Sequence, residues 1–555
     1  MPSAEKAGKV KLMQPIFQVL EEKINKFSGK SVHPATWALS FLGIIGLRMF
    51  IEFFIASPAL SIGEITIEYL HNFFFFILAF LLIWLIASFF LQENPAHSAL
   101  LMLWAAWLIV LPPIFDIIKT GGEVYWSFYV LNDIQALWSQ FLTVFGRLPS
   151  GIVYFGTKIT FILAIIFVTL LVWIKTRKWL KGLLASFFTY AILFFMGSFP
   201  SFFTFGYYFL AGEKKVSQVN EIDIIQFLGT PARLFGTEFF NLKYSLAYNL
   251  NLIYYLFLLA MLILLFFKIN SVKFLAVIKN SRFPQLVYHA GLFFIGLGLG
   301  YLIYPENFHL YVFSGAALLV LMSSIWLAWL ASVVFNDIYD FQIDEISNPQ
   351  RPLQKKIFTV QEYESFGVVV FLLSLLGGLT ISFKFAALIF IYQLIAWVYS
   401  VPPFRLKRFP LIATLASSVA SLVVLFIGFT LFSGDQNIHG LSWRIILLII
   451  IALTLSLPIK DFKDIAGDEK YGVLTIPVIF GEEKGRLIVA TSAFLSFMLS
   501  VFLLNELRLF WWALLFGGAA FLIITSKKIK PQLLFWWVLS VVGAYGLILM
   551  KTVFI

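Results

Sequence analysis

Two short stretches of this chain carry nearly the same pattern of carboxylates. In NDIYDFQIDEISNPQRPL (336–353), Asp337, Asp340 and Asp344 are spaced three and then four residues apart. In KDFKDIAGDEKYGVLTI (460–476), Asp461, Asp464 and Asp468 repeat that spacing. On a helix turning about 100° per residue, such a triad falls within an arc of about 60°, so its carboxylates are expected to face one way. Like charges this close repel, and ionising all of them beside a low-dielectric region is costly unless a cation offsets it. Oxygen-only ligands suit Mg2+, which keeps several waters and commonly takes the rest of its shell from substrate phosphates. Two facing carboxylate clusters with arginines and lysines nearby are what a diphosphate with bridging Mg2+ requires. Solvated loop charges would account for one such cluster, but poorly for two with matching spacing and context.

The elements that must hold these residues are transmembrane helices. The chain has 555 residues, 61% of them hydrophobic and 12% charged. Repeated apolar runs of roughly 20 residues mark an all-α, polytopic membrane protein. The runs are continuous, unlike the short alternating segments of a β-barrel. There is no cysteine, which excludes disulfides, thiolate catalysis and cysteine-based metal sites. The formal net charge of +11 is read as basic residues in cytoplasmic loops rather than as a nucleic-acid surface.

Spanning cores are expected near 36–57, 72–91, 98–118, 152–174, 182–199 and 247–267, about six in the first half. Nine more are expected near 286–304, 310–335, 364–381, 385–401, 409–432, 443–460, 487–504, 509–526 and 532–551. Ile16, Val19, Leu20, Ile24 and Phe27 recur at helical spacing, so 1–35 reads as an amphipathic segment on the cytoplasmic face. The basic, non-spanning stretch 268–285 separates a multi-span domain (36–281) from a second membrane domain (282–555). Counting spans from the lysine-rich N-terminus puts 175–181, the 268–282 segment, Arg351 with Lys355 and Lys356, 405–408, the loop with Lys463 and Lys470, and 527–530 on the cytoplasmic side. Both carboxylate clusters fall on that side. The loops PENFH (305–309) and GDQNIH (434–439), assigned outside, contain no lysine or arginine, and loop 92–97, assigned inside, has no basic residue either. Arg48 and Glu52, four apart within the first span, read as a pair that neutralises itself.

These residues resemble the UbiA-type intramembrane prenyltransferases. NDIYDFQID is similar to that family's first motif, Asn-Asp-x-x-Asp-x-x-x-Asp, and DFKDIAGD to its second in the form Asp-x-x-Asp-x-x-x-Asp. YSVPPFRLKR (399–408) looks like a further family segment between them. The resemblance covers about 282–555 and implies a nine-helix bundle. It also implies Mg2+-dependent transfer of a polyprenyl group from an allylic prenyl diphosphate to a lipid, quinone-precursor or other small acceptor, with release of diphosphate. Carried over by position, Asp337, Asp340, Asp344, Asp461, Asp464 and Asp468 are the expected catalytic metal ligands. Asn336, Arg351, Tyr399, Arg405, Lys407 and Lys460 are the expected substrate contacts, and Tyr339 is the other aromatic inside a motif.

The spacing in IDEISNPQRPL is closest to archaeal geranylgeranylglyceryl phosphate transferases and chlorophyll synthases. Those commonly follow Arg-Pro with Ser-Gly, where this chain has LQKK (353–356). The expected partners are a prenyl diphosphate, an acceptor the sequence does not name and the lipid bilayer, with no nucleic acid. Residues 1–281 resemble no named family; docking of a protein partner, lipid delivery and a second reaction all stay open for the domain they contain, 36–281. Two alternatives are another membrane lipid- or phospho-transferase, and a transporter or scaffold fused to a degenerate transferase. The Asp-Gly-x-x-Ala-Arg signature of CDP-alcohol phosphotransferases is absent.

Overall fold

The computed structural model describes every residue except 1–17, 29, 57–60, 121–129, 144–154, 231–232, 235–236, 239–241, 310, 434–436 and 555. The first part of the amphipathic N-terminal segment and the start of the GDQNIH loop therefore lie outside the described residues. Two two-residue strands, Arg233–Leu234 and Thr237–Glu238, are the only β structure among the described residues; the ordered elements are otherwise helical. Fifteen helices among the described residues are long and apolar enough to cross a membrane, and each expected core overlaps one of them. This is an integral membrane protein. The chain divides into two compact units, one of Met1–Arg233 with Glu238–Ser271, the other of Leu234–Thr237 with Val272–Ile555.

In the N-terminal unit, the loop that lacks basic residues meets segments that have them. Lys175 Nζ lies 2.6 Å from Glu93 Oε2, and Asn94 Nδ2 donates to the Ile269 carbonyl at 2.9 Å. Loop 92–97 thus shares one end of the unit with 175–181. Arg48 Nη1 donates to Glu52 Oε2 at 2.7 Å, and its guanidinium sits 5.0 Å from the centre of the Phe76 ring. The pair is satisfied within its own helix turn, which lowers the cost of a charge at that depth.

The C-terminal unit contains nine long apolar helices among its described residues, numbered here α1 Phe283–Ile303, α2 Val312–Tyr339, α3 Val360–Ile381, α4 Phe383–Ser400, α5 Pro410–Thr430, α6 Trp443–Ser456, α7 Glu482–Leu503, α8 Phe510–Thr525 and α9 Pro531–Phe554. Small residues let α1 and α5 touch backbone to backbone. A Cβ on Gly300 would come within 2.7 Å of the Phe429 carbonyl, and Gly296 and Gly428 press on the facing helix in the same way. Such contacts suit helices in lipid, where burial between helices supplies little drive and close packing supplies more.

Local chemistry sets where the helices stop. Thr359 and Glu362 cap the start of α3 reciprocally. Pro402 holds Val401 extended, so α4 ends at Ser400 and 401–408 turns back across the bundle end. α2 ends at Tyr339, and a separate short helix, Phe341–Ser347, follows. The second carboxylate segment has the same design, a 3-10 stretch Leu457–Lys463 and then a short helix Ile465–Lys470. Beneath it, Ile459 and Phe462 pack in a buried cluster with Val489, Ala490 and Ala493 of α7, Ile524 of α8 and Leu534 and Val538 of α9.

Candidate active site

The expectation of one unbroken helical face for each carboxylate triad does not hold, because each helix breaks at its middle aspartate. Asp340 and Asp464 sit at the junctions, with ψ of 13° and 7°. The break sends the first motif's carboxylates to different places. Asp340 and Asp344 line a cavity of about 220 Å3 together with Asp461, Asp464 and Asp468. Asp337 does not line it. Its fully buried carboxylate accepts from Asn280 Nδ2 (2.7 Å), Arg282 Nη2 (2.6 Å), Arg351 Nη1 (3.0 Å) and Tyr363 Oη (3.2 Å). Four donors use up the lone pairs of one carboxylate.

The remaining expected residues divide between the cavity wall and its support. Asn336, Arg351, Tyr399, Lys407 and Lys460 line the cavity. Asn336 Oδ1 accepts from Ser400 Oγ at 3.1 Å, tying α2 to α4. Arg351 also pairs with Asp344, and Lys407 with Asp340. Arg405 stands behind the wall, with Nη2 2.9 Å from Asp340 Oδ1. Arg405 and Arg282 both adopt the left-handed backbone conformation, with φ of 42° and 54°, which costs a non-glycine residue roughly 1–2 kcal/mol. Lys460 Nζ donates to Tyr399 Oη and Ser417 Oγ, each at 3.2 Å, and lies 5.0 Å from the centre of the Tyr399 ring. The Tyr339 side chain is exposed and off the site; only its carbonyl takes part, accepting from Arg405. Lys355 and Lys356 are exposed and do not line the cavity.

One residue joins the two motifs. Asn348 Nδ2 donates to Asp344 Oδ1 at 2.9 Å and to Asp464 Oδ1 at 3.1 Å. Gly467 lets the two short helices meet, since a Cβ there would lie 2.9 Å from the Ile343 carbonyl and against Ser347 Oγ. Arg282 and Lys463 add cations to the cavity wall. Sequence reasoning counted both only as cytoplasmic charges, and Asn280, Asn348 and Tyr363 gave no signal of a site role.

The charges are distributed unevenly. Asp337, Asp340 and Asp344 are each held by a guanidinium or ammonium. The carboxylates of Asp461 and Asp468 carry no hydrogen bond or ion pair among the described residues. Burial pushes the Asp468 carboxyl up to about 8, and the neighbouring Asp464 and Asp461 push the same way. Burial likewise pushes Asp344 up to about 7, against the opposing pull of Arg351. Burial lowers the Lys407 ammonium, with Asp340 opposing. Among the described residues, no three metal-binding side chains are already gathered around one point. The five cavity carboxylates nevertheless form an all-oxygen donor set, two of them free of protein partners, and this chemistry fits Mg2+.

Residues 291–533 match the model of the UbiA prenyltransferase family. The C-terminal region of this chain is similar to that family. Members of the UbiA family are prenyltransferases. The chain is 26% identical to a digeranylgeranylglyceryl phosphate synthase of Methanobrevibacter smithii over 31% of its own length and 61% of the relative. It is 28% identical to a homogentisate phytyltransferase of Synechocystis over 32% of its length and 62% of that protein. The matches thus span about three fifths of these curated relatives. A structure of a UbiA homolog from Archaeoglobus fulgidus bound to DMAPP and Mg2+ aligns with a TM-score of 0.38 and 18% identity, covering 49% of this chain and 99% of that one. The family match begins within α1 and ends at the start of α9, so both carboxylate segments and the 399–408 segment lie inside it.

Proposed function

We propose that the C-terminal unit is an integral-membrane prenyltransferase acting on an allylic prenyl diphosphate, with its active site on the cytoplasmic side. One observation carries this reading: carboxylates of two segments more than a hundred residues apart line a single cavity that is also walled by Arg351, Lys407 and Lys460. The family match adds support. The 282–555 region is read as the catalytic domain and 36–281 as a separate domain whose role, partner docking included, is open.

Asp340, Asp344, Asp461, Asp464 and Asp468 are the residues that would hold Mg2+, and Asp337 serves them from behind by fixing Arg282 and Arg351. When bound, Mg2+ supplies charge neutralisation for the leaving diphosphate. The chain's own cations do complementary work. Arg351, Lys407 and Lys460 face the position where negative charge grows as the allylic carbon–oxygen bond breaks, and such fixed charge stabilises the transition state more than the ground state. The apolar part of the chamber keeps water from the allylic cation until the acceptor arrives. Ring faces such as that of Trp329 in the cavity wall favour a nearby cation.

Purified protein with Mg2+ and an allylic prenyl diphosphate tests the reading through diphosphate release in the presence of acceptor. Asp344→Asn and Asp464→Asn should each lower release at least 100-fold, in line with loss of a principal charge-stabilising group. Wild-type rates in both variants would refute a site shared by the two segments.

A further inference from the structure

The N-terminal unit holds a cavity of its own, which shares no residue with the candidate active site. It has a volume of about 70 Å3 and lies between the spans Ile62–Leu91, Pro95–Ile118, Gly156–Thr176 and Trp179–Gly197. All but one of its lining side chains are apolar. Ala79, Ala105 and Ala164, each from a different span, keep open a space that larger side chains would close.

The exception is Thr160. It is 6% exposed, and its Oγ1 has no hydrogen-bond partner among the described residues. A threonine inside a helix ordinarily returns its hydroxyl to the carbonyl four residues earlier. Thr169 and Thr176 of the same helix do so, to Ile165 at 2.6 Å and to Val172 at 2.7 Å. Thr160 lines the cavity instead. A buried hydroxyl without a partner is costly, above all in a membrane, where no bulk water can satisfy it. An occupant of this cavity must therefore be hydrocarbon along most of its length and bring one hydrogen-bond acceptor to Thr160.

Size and depth narrow the choice. A cavity that holds a benzene ring has a volume of about 150 Å3, so a quinone or another ring does not fit here, whereas one slender unbranched chain does. Lys175 pairs with Glu93 at one end of the unit. Thr160 lies fifteen residues back along the helix, roughly 22 Å away, which places it inside the opposite leaflet of a hydrocarbon layer of about 30 Å. Ala164 and Val168 follow toward the middle of the layer. A glycerolipid of that leaflet brings both parts: an ester carbonyl, which can only accept, and below it a chain that runs toward the middle. We propose that this cavity binds one acyl chain of an ester-linked membrane glycerolipid, with the Thr160 hydroxyl donating to the ester carbonyl oxygen and the chain passing between the three alanines. The site gives the N-terminal unit a lipid-binding role that stands apart from the prenyltransferase reading.

The test uses the full chain, purified in detergent and stripped of lipid. It is titrated with three phosphatidylglycerols in separate arms, one with ester-linked palmitoyl chains, one with ether-linked hexadecyl chains and one with ether-linked phytanyl chains. Native mass spectrometry reads the one-lipid complex, and thermal unfolding reads stability. The wild type should bind the ester lipid about fivefold more tightly than the hexadecyl ether lipid, which has no carbonyl to accept from Thr160. Thr160→Val should bind the ester lipid about fivefold more weakly and lose that preference. Ala105→Leu and Ala164→Leu should each weaken both lipids at least tenfold, and the ester lipid should raise the unfolding temperature of the wild type but not of these variants. Equal affinity of the wild type for the ester and hexadecyl ether lipids overturns the inference, as does undiminished binding in both alanine variants. Tightest binding of the phytanyl lipid assigns the space to an isoprenoid chain and overturns it too. A lipid count that is the same in every variant marks annular lipid only, with the same consequence. If the alanine variants do not fold, the comparison of ester with ether in the wild type and Thr160→Val decides alone.

Discussion

Asp340 is held by Arg405 and Lys407, and Asp344 by Arg351. Of these cations, Arg351 and Lys407 are ones the proposed mechanism turns toward the diphosphate. On the proposed function, loading the site would be an exchange, in which Asp340 and Asp344 would turn to a divalent cation while Arg351 and Lys407 would turn to the diphosphate. A metal arriving alone at Asp340 would strand buried Lys407 and half-buried Arg405, and leaving a buried charge without its partner costs about 3–5 kcal/mol. Metal and diphosphate should thus bind weakly alone and strongly together. Lys407→Met removes one of the two competitors at Asp340. Titration calorimetry should show Mn2+ alone binding roughly tenfold tighter to this variant, and inorganic diphosphate with Mn2+ binding roughly tenfold weaker, each about 1.4 kcal/mol. If both affinities fall, Lys407 is only a structural cation.

At the scale of elements, the site depends on two short helices meeting at Gly467. Phe341–Ser347 and Ile465–Lys470 approach through Gly467, whose missing Cβ leaves room for the Ile343 carbonyl and Ser347 Oγ. Asn348 then spans the gap from Asp344 to Asp464. The base under Ile465–Lys470 is rigid, because Phe462 and Ile459 are packed among α7, α8 and α9. Gly467→Val cannot be relieved by a side-chain rotation alone, since one of the atoms it meets is backbone. It should cost about 1–3 kcal/mol as overpacking and force the two segments apart. Thermal unfolding should show the loss of stability, and Mg2+-dependent diphosphate affinity should fall with it. Unchanged affinity in a folded variant would mean that the two segments need not touch.

For the molecule as a whole, the loops sort by charge. In the C-terminal unit, the carboxylate segments and the 405–408 turn meet at one end, while Asn307 donates to the Phe432 carbonyl at 2.6 Å in a region poor in lysine and arginine. By the positive-inside pattern, we propose that the first end is the cytoplasmic one. Because the natural chain has no cysteine, single cysteines can report this directly. Lys355→Cys should react with a membrane-impermeant thiol reagent only after the membrane is opened, and Glu306→Cys should react in intact cells. The reverse pattern would invert the proposed orientation.

Much of this protein was legible in the order of its residues. Continuous apolar runs dictate helices long enough to span, because every backbone polar group must be satisfied within lipid, and each expected core has its helix. The repeated aspartate spacing marked both halves of the cavity wall, and the nearby basic residues marked its cations. Spacing could not say which way each carboxylate turns, because that is settled by partners far along the chain. Asp337 is drawn away from the cavity by Asn280, Arg282 and Tyr363, and Asp344 is joined to Asp464 through Asn348. His289 and Tyr392 meet across more than a hundred residues. Local sequence determined which segments are long and apolar enough to span and what charge the residues between them carry. Only the packing of distant helices decided which of them share a cavity, because a hydrogen bond depends on distance and direction in space and not on separation along the chain.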